Sequence, residues 1–407
     1  MILNQLYHGS QCQYDMKASG AFVPRLLNEG DFIDLSLADE VIGRAYKGSE
    51  YFKRCFDEGR LFPDMACSLT DIDMHEELLI HNYTGQCPVQ TFELTPAKGC
   101  NVGCAYCLVN DGIHEQTVVV YQNYHELIRK HLDEHRNDEH FYYLSPKTEA
   151  FCEATLQTGT AHKILKSFVE HYEKYPDSKA RLFIASKAGV EALDYEYEGD
   201  RILDLFIKLK GKMQFNTSLS LFPEGAIRDI EPYSCSIGNR LAAVKLCNEH
   251  GIMANSALVQ PIMIEILTEE LLDGFFALLK SHGIVNVKPE FLTVSIENMV
   301  LLTQMLEKYD RGIFRKVFCA YFRDDNLDHI KQRGRTAPPR DISHYWIKKI
   351  QAVAARHGIT TSICNWVREQ LGVTEEDIPF VNENGFKCLG YQTRLFAAPF
   401  CNEDERE

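Results

Sequence analysis

The chain has 407 residues, of which 45% are hydrophobic and 25% charged, a balance typical of a soluble globular protein with one large domain and an extension, or with two domains. A formal net charge of −15 argues against a broad nucleic-acid-binding surface, because such surfaces carry basic stripes. No apolar run is long enough to span a membrane, and residues 1–15 lack the basic region and apolar core of a signal peptide.

Residues 1–88 are predicted to form an N-terminal extension that packs beside the main domain. Apolar residues recur at helical spacing over 39–46 and 50–56. The isolated cysteines and histidines of this segment show no metal-ligand spacing, and we interpret them as ordinary buried or surface residues. The 14 cysteines of the chain are scattered, so we expect no disulfide framework and predict a reducing, cytoplasmic location.

A short loop with three cysteines, Gly99–Cys107, follows the extended segment 90–95. Its spacing, CxxxCxxC, with glycines beside the first two cysteines, lets the loop fold back and point three sulfurs at one centre. Thiolates in this arrangement are soft ligands that suit zinc or an iron–sulfur cluster. A closed structural site would need a fourth ligand nearby, so three cysteines leave one metal position open for chemistry. A zinc clip and three unrelated buried thiols are the alternatives.

After this cysteine loop, helical and strand patterns alternate, which is typical of a parallel sheet with crossover helices. The predicted strands are 90–95, 139–144, 180–187, 212–220, 253–262 and 284–289. The predicted helices include 124–135, 161–175, 201–210, 239–250, 269–282 and 297–308. Six such units build a partial barrel, whose active site lies at the carboxyl ends of the strands. We therefore expect an α/β fold, a partial (β/α)6 barrel over 89–294, followed by a C-terminal extension over 295–407 that completes or caps it.

The motif CxxxCxΦC, with Tyr106 as its aromatic residue, resembles the signature of the radical S-adenosylmethionine (radical SAM) superfamily. The resemblance implies that Cys100, Cys104 and Cys107 hold a [4Fe–4S] cluster whose fourth iron binds SAM. It also implies reductive cleavage of SAM to methionine and a 5′-deoxyadenosyl radical, with a flavodoxin- or ferredoxin-type reductant. Within the superfamily, the order of the motifs ASK, FNTSLS, EP, NRLAAVKLCNEHGI and QPI is similar to the spore photoproduct lyase branch.

The same resemblance assigns contacts to the amino-acid part of SAM. Ser145 and Glu149 follow the second strand and would contact the ammonium group, and Lys187 ends the third strand and would reach the carboxylate. Arg240, at the start of a helix, is a second candidate for the carboxylate. A strand-ending turn and solvated charges are the plain alternatives for these residues.

The nucleoside part of SAM is assigned to the later strands. Asn216 and Ser218 alternate with Phe215 and Thr217 and would hold the ribose hydroxyls, although a polar, half-buried strand face would look the same. The backbone near Gln260 would lie against the adenine, and Tyr106 would line the cofactor site from the cysteine loop.

An additional cysteine, Cys152, lies a few residues beyond the second strand. In spore photoproduct lyase, which the chain resembles, a cysteine after this strand returns a hydrogen atom to the product radical. The resemblance makes Cys152 a candidate hydrogen donor, and a small buried side chain is the alternative.

The resemblance to the spore photoproduct lyase branch does not extend to the last third of the chain. A polar loop with four cations, 331–340, is predicted either to bind a phosphate or carboxylate or simply to face solvent. Cys319, Cys364, Cys388 and Cys401 leave a second metal site open, although none has a cysteine partner within a few residues.

Together these features predict a radical SAM enzyme that abstracts hydrogen from a small molecule or a peptide. Repair of a DNA lesion, which the branch resemblance implies, is an alternative that the negative charge disfavours. A metal-binding module without catalysis is the other alternative.

Overall fold

A computed structural model describes residues 22–61, 66–81, 91–107, 117–223, 225–323, 326, 336–364, 368, 373–376, 378–379, 381–387 and 390–393. Residues 331–335 of the predicted basic loop at 331–340 lie outside these residues, as do Cys388 and Cys401. None of the described helices is long and apolar enough to cross a membrane.

The elements are numbered here in chain order. The helices are α1 (Glu29–Phe32), α2 (Asp39–Asp57), α3 (Tyr124–Glu134), α4 (Glu153–Gln157), α5 (Thr160–Lys174), α6 (Val190–Leu193), α7 (Ile202–Lys208), α8 (Ile227–Ile230), α9 (Ile237–Glu249), α10 (Glu269–Ser281), α11 (Ile296–Leu306), α12 (Ile313–Tyr321) and α13 (Arg340–Arg356). The strands are β1 (Ala66–Thr70), β2 (Ile80–His81), β3 (Thr91–Leu94), β4 (Ala97–Lys98), β5 (Thr117–Tyr121), β6 (Phe141–Leu144), β7 (Arg181–Ser186), β8 (Glu196–Tyr197), β9 (Asp200–Arg201), β10 (Met213–Leu221), β11 (Ser256–Ile262), β12 (Asn286–Phe291) and β13 (Thr360–Thr361).

The main sheet has the strand order β2-β3-β6-β7-β10-β11-β12-β13. β2 is antiparallel to β3, and the seven strands from β3 to β13 are parallel. Within the described residues β2 and β13 form its two edges, so the sheet is open. The predicted α/β class and partial barrel are confirmed. The C-terminal part of the chain adds a seventh parallel strand, β13, to the six of the predicted barrel; a strand over 359–364 is also expected from the sequence.

The crossover helices begin and end at recognisable residues. Ser236, Thr268 and Ser295 cap α9, α10 and α11, each accepting from a backbone N–H in the first turn. Gly251 and Gly283 follow α9 and α10 with φ of +70° and +82°, the left-handed conformation that stops a helix.

The N-terminal extension differs from its prediction in two ways. The two predicted helical segments are one helix, α2, and Gly48 at their junction packs against α11, where an added Cβ would lie 3.1 Å from the Glu297 Cα. β1 pairs with β5 in a small second sheet that includes β4, whereas helical and irregular structure was predicted. β1 has no alternating pattern, and its partner lies about fifty residues later, so local sequence does not reveal this pairing.

The concave face of the main sheet is filled at its amino end by the last described segment. Tyr391 is fully buried there against Phe141, Tyr143, Phe183 and Leu258. This apolar cluster is separate from the larger core between the sheet and its crossover helices.

Candidate active site

The cysteine loop follows β3 and β4 at the carboxyl end of the parallel strands. Gly103 has a φ of +73°, and a Cβ there would lie 3.0 Å from the Tyr233 ring, so glycine is required. The backbone N–H of Ala105 donates to the Ile230 carbonyl (2.8 Å), and that of Tyr233 donates to the Val102 carbonyl (3.2 Å). The cysteine loop is therefore held against the segment that follows β10.

The thiols of the cysteine loop share one partly buried region. Cys104 is buried, and Cys100 and Cys107 are half-buried. Burial raises the pKa of Cys104 to about 12, against the opposing charge of Lys187. Burial also raises the pKa of Cys100, and the neighbouring thiol of Cys152 adds to that shift. Clustered thiols in such surroundings fit a soft metal centre, whose positive charge replaces their protons.

A buried ion pair anchors Tyr106. The Tyr106 hydroxyl donates to the Glu231 carboxylate, which also accepts from the Arg240 guanidinium and from Ser220 Oγ (2.7 Å). Both charged side chains have 0% exposure. Burial opposes ionisation of Glu231, but the surrounding charges and hydrogen bonds, led by Arg240, lower its pKa to about 2. Glu231 is a residue that the sequence analysis quoted only as part of a motif.

The Arg240 side chain is fully buried. Its Nε donates to the Cys235 carbonyl (2.7 Å) and its Nη1 to the Ser218 carbonyl (2.9 Å), while Nη2 reaches Glu231. Each nitrogen of the guanidinium is thus engaged by the protein. We therefore assign Arg240 to positioning Glu231 and Tyr106 rather than to the SAM carboxylate that the sequence suggested.

Glu149 joins the carboxyl ends of β6 and β7. Its carboxylate accepts from the backbone N–H of Lys187 (2.7 Å), from that of Phe151 (3.1 Å) and from the Ser186 hydroxyl. Ser186 Oγ in turn accepts from the Ala188 N–H (2.8 Å). Three internal donors hold the carboxylate at the strand ends, where a SAM ammonium group would be a further donor.

Lys187 points from the end of β7 toward the cysteine loop. Its Nζ lies 5.9 Å from the centroid of the Tyr106 ring. Burial works against its charge, but Cys104 and Glu231 outweigh that effect and raise the pKa of Lys187. In the part of the chain that the structure describes, the ammonium group forms no ion pair within 4.0 Å. Such a group is suited to bind an anion.

Ser145 ends β6 in a strained conformation, with a φ of +53°. Its N–H donates to the Leu94 carbonyl (2.8 Å), and the residue is 2% exposed. Its hydroxyl oxygen is buried and has no hydrogen-bond partner among the described residues. Strain and an unpaired buried hydroxyl are features of ligand-binding positions.

The two predicted ribose contacts lie at different depths on β10. Asn216 Nδ2 donates to the Gly390 carbonyl (3.1 Å), and its Oδ1 accepts from Gln214 Nε2 (2.7 Å). Ser218, two residues closer to the carboxyl end, pairs in register with Leu258. The structure therefore places Asn216 with the segment that fills the amino end, and Ser218 nearer the cysteine loop.

Gln260 belongs to a polar group on β11 and β12. Its Oε1 accepts from Lys288 Nζ (3.0 Å), and Lys288 also pairs with Glu290. Neither Lys288 nor Glu290 is among the residues predicted from the sequence to form the site. Their alternation within β12 is the signal that would have placed both on one face of the sheet.

Cys152 lies immediately before α4 and is buried, with its Sγ 3.6 Å from Thr155 Oγ1. The Cys152 thiol acts on the cysteine loop through charge, since it contributes to the raised pKa of Cys100. The structure thus brings the predicted hydrogen donor to the edge of the cysteine loop.

A carboxyl group without partners lies just after β11. Both oxygens of Glu265 are buried and accept no hydrogen bond from the described residues, and burial raises the pKa of Glu265 to about 8. The hydroxyl of Tyr321 on α12, also buried and unpaired there, is affected by the Glu265 charge. The folded protein therefore favours the protonated acid at neutral pH.

Replacing Glu265 with Gln is expected to stabilise the protein increasingly as pH rises. Below the ordinary pKa of 4.5 both states hold the proton, and no difference arises. Between pH 4.5 and about pH 8, only the unfolded chain releases the proton, so the free energy of unfolding of the wild type falls as pH rises. This loss of stability is complete above about pH 8. Urea unfolding at pH 5 and pH 9 measures this difference, on the order of a few kcal/mol. If the free energies of unfolding of the two proteins changed with pH in the same way, the raised pKa of Glu265 would be contradicted.

Comparisons with known proteins place the chain among distant relatives. No protein-family model matches the sequence. An uncharacterised protein of Methanocaldococcus jannaschii is 26% identical over 216 residues, which cover 49% of this chain and 74% of that protein. Among solved structures, a mutant of spore photoproduct lyase matches with a TM-score of 0.49 and 14% identity, over 84% of this chain and 98% of that chain.

SuiB of Streptococcus suis is a second structural neighbour. Bound to its precursor peptide SuiA it matches with a TM-score of 0.33 and 11% identity, over 72% of this chain and 52% of SuiB. Bound to S-adenosylmethionine it matches with a TM-score of 0.34 and 13% identity, over 62% of this chain and 51% of SuiB. The matches thus span about half of SuiB.

Proposed function

We propose that this chain is a radical SAM enzyme whose [4Fe–4S] cluster is held by Cys100, Cys104 and Cys107. When bound, the cluster would supply one electron that cleaves SAM to methionine and a 5′-deoxyadenosyl radical, which abstracts hydrogen from the substrate. The observation that carries the proposal is the grouping of the three loop thiols with the charged side chain of Lys187, which has no ion-pair partner among the described residues.

The surrounding residues have separable roles in this proposal. Lys187 binds the SAM carboxylate, and the unpaired Ser145 hydroxyl, with Glu149, receives the ammonium group. Ser218 contacts the ribose, and the backbone near Gln260 lies against the adenine. Held between these groups, the cofactor would meet its substrate at short range and away from water.

The substrate proposed is a small molecule or a peptide bound at the carboxyl end of the concave face. The reductant is a flavodoxin- or ferredoxin-type protein, and a reducing compartment such as the cytoplasm suits the cluster. Repair of a DNA lesion is less favoured, because a net charge of −15 opposes approach to a polyanion. Cys152 is the proposed hydrogen donor to the product radical.

Electron paramagnetic resonance (EPR) of the anaerobically reconstituted, dithionite-reduced protein tests the open metal position. Addition of SAM is expected to change the signal of the reduced cluster, because SAM takes the coordination place that no cysteine fills. A cluster whose signal is the same with and without SAM would contradict the proposal.

Replacing Lys187 with Ala is expected to weaken SAM binding by about 10- to 100-fold, the usual effect of losing one charge-assisted hydrogen bond. The cluster itself should still assemble, because Lys187 is not a ligand. A titration of the SAM-dependent EPR change gives both affinities. Lys245→Ala, on the exposed face of α9, is the matched control and should bind SAM as the wild type does. Equal affinities in all three proteins would remove Lys187 from the site.

A further inference from the structure

Four metal-ligating side chains gather at the amino end of β6, the opposite end of that strand from the cysteine loop. His131 and His135 lie one turn apart at the end of α3, on the same face of that helix. Asp138 and His140 follow in the short connection to β6. The ring centroids of His131 and His135 are 4.4 Å apart, and those of His135 and His140 are 4.8 Å apart.

Donor atoms of three of the four residues of this histidine cluster converge, and the His131 ring lies beside them against His135. One ligand atom each from His135, Asp138 and His140 lies within 4.8 Å of the other two. His135 Nδ1 and Asp138 Oδ2 are 2.9 Å apart. Ligands of a tetrahedral Zn²⁺ at about 2.0–2.2 Å would stand roughly 3.4 Å from one another, so small side-chain movements would bring these three donor atoms into place.

Two ring nitrogens of the histidine cluster form no hydrogen bond with the described residues. His131 Nε2 and His140 Nδ1 are buried and lack a hydrogen-bond partner among the described residues. Phe92 closes the inner side, with its ring centroid 4.6 Å from that of His131 and 4.7 Å from that of His140. The outer side is open, since the Asp138 side chain is 54% exposed, and an ion can enter there.

We propose that His131, His135, Asp138 and His140 form a binding site for a divalent transition-metal ion, best filled by Zn²⁺. Imidazole nitrogens with one carboxylate select such an ion over Mg²⁺ or Ca²⁺, which prefer all-oxygen sites. The bound ion would join the end of α3 to the start of β6. It would be distinct from the cysteine loop, and its presence does not depend on the radical SAM proposal.

Equilibrium dialysis of Zn²⁺ against the full chain tests this site, in a background with Cys100, Cys104 and Cys107 replaced by Ser. We expect about one ion per chain and a higher midpoint of thermal unfolding with zinc. His135→Ala and His140→Gln should each weaken binding by at least about tenfold. His250→Ala, an exposed histidine after α9, is the control and should bind zinc normally.

Zinc bound equally well by all the histidine variants, or not retained by the parent chain, would overturn the proposal. If the serine background does not fold, the same variants are compared in the cluster-loaded chain with iron measured alongside zinc. Zinc uptake that leaves the iron content unchanged and is lost in His135→Ala gives the supporting result there. Zinc uptake that occurs only as iron is lost would overturn the proposal.

Discussion

Replacing Glu231 with Gln is expected to lower the free energy of unfolding by about 3–5 kcal/mol, the loss typical of a broken buried ion pair. Arg240 would keep its charge at 0% exposure without a counter-charge. The Tyr106 hydroxyl and Ser220 Oγ would each lose a charged acceptor. Since the segment around Glu231 also holds the cysteine loop through backbone hydrogen bonds, cluster incorporation should fall with stability.

Guanidinium unfolding of the apoprotein, followed by circular dichroism, measures this loss. Asp204→Asn is the control, because it breaks a solvent-exposed pair with Arg201 and should cost less than about 1 kcal/mol. The double variant Glu231→Gln, Arg240→Met should regain part of the stability, since no buried charge is left alone. A single-variant loss as small as that of Asp204→Asn would contradict the buried-pair assignment.

The same pair gives the wild-type protein a defined acid sensitivity. Because Glu231 has a folded-state pKa of about 2 against an ordinary 4.5, its contribution is complete above 4.5 and is lost as pH falls toward 2. Glu231→Gln should lack that part of the pH profile, which distinguishes loss of the charge from a packing defect.

Cys104→Ala is expected to abolish cluster assembly, reducing bound iron at least tenfold and SAM cleavage below detection. Two thiols leave two open metal positions, which does not hold a [4Fe–4S] cluster firmly. Iron and sulfide content after anaerobic reconstitution measure the effect.

Two other cysteines provide controls for that result. Cys319→Ala changes an exposed thiol and should keep full iron content and activity. Cys152→Ala should keep the cluster but lower product yield, if Cys152 donates hydrogen rather than binds iron. Iron loss in Cys152→Ala equal to that in Cys104→Ala would make Cys152 a ligand and contradict its proposed role.

The parallel strands and the position of the cysteine loop were predictable because their signals are local. Buried strands such as β6, with the sequence FYYL, read as apolar runs between helices, and Gly251 and Gly283 mark helix ends. The order of strand, cysteine loop and helix follows directly from that reading.

The depth and orientation of polar side chains were not predictable. The alternation on β10 placed Asn216 and Ser218 on one face, but the segment that covers Asn216 comes from Gly390, more than 170 residues later. Arg240 begins a helix, and nothing local shows that its side chain turns inward to Glu231. Likewise, the spacing of His131 and His135 is visible in the sequence, whereas their approach to His140 depends on the turn into β6.

The measurement that tests the central claim most directly is the SAM-dependent formation of 5′-deoxyadenosine. The protein is reconstituted anaerobically with iron and sulfide, mixed with SAM and dithionite, and analysed by mass spectrometry beside Cys104→Ala. We predict deoxyadenosine from the wild-type protein, dependent on both SAM and dithionite, and none from Cys104→Ala. A chain that assembles no cluster and instead binds zinc in the cysteine loop, with no deoxyadenosine formed, would contradict the radical mechanism and leave a metal-binding module in its place.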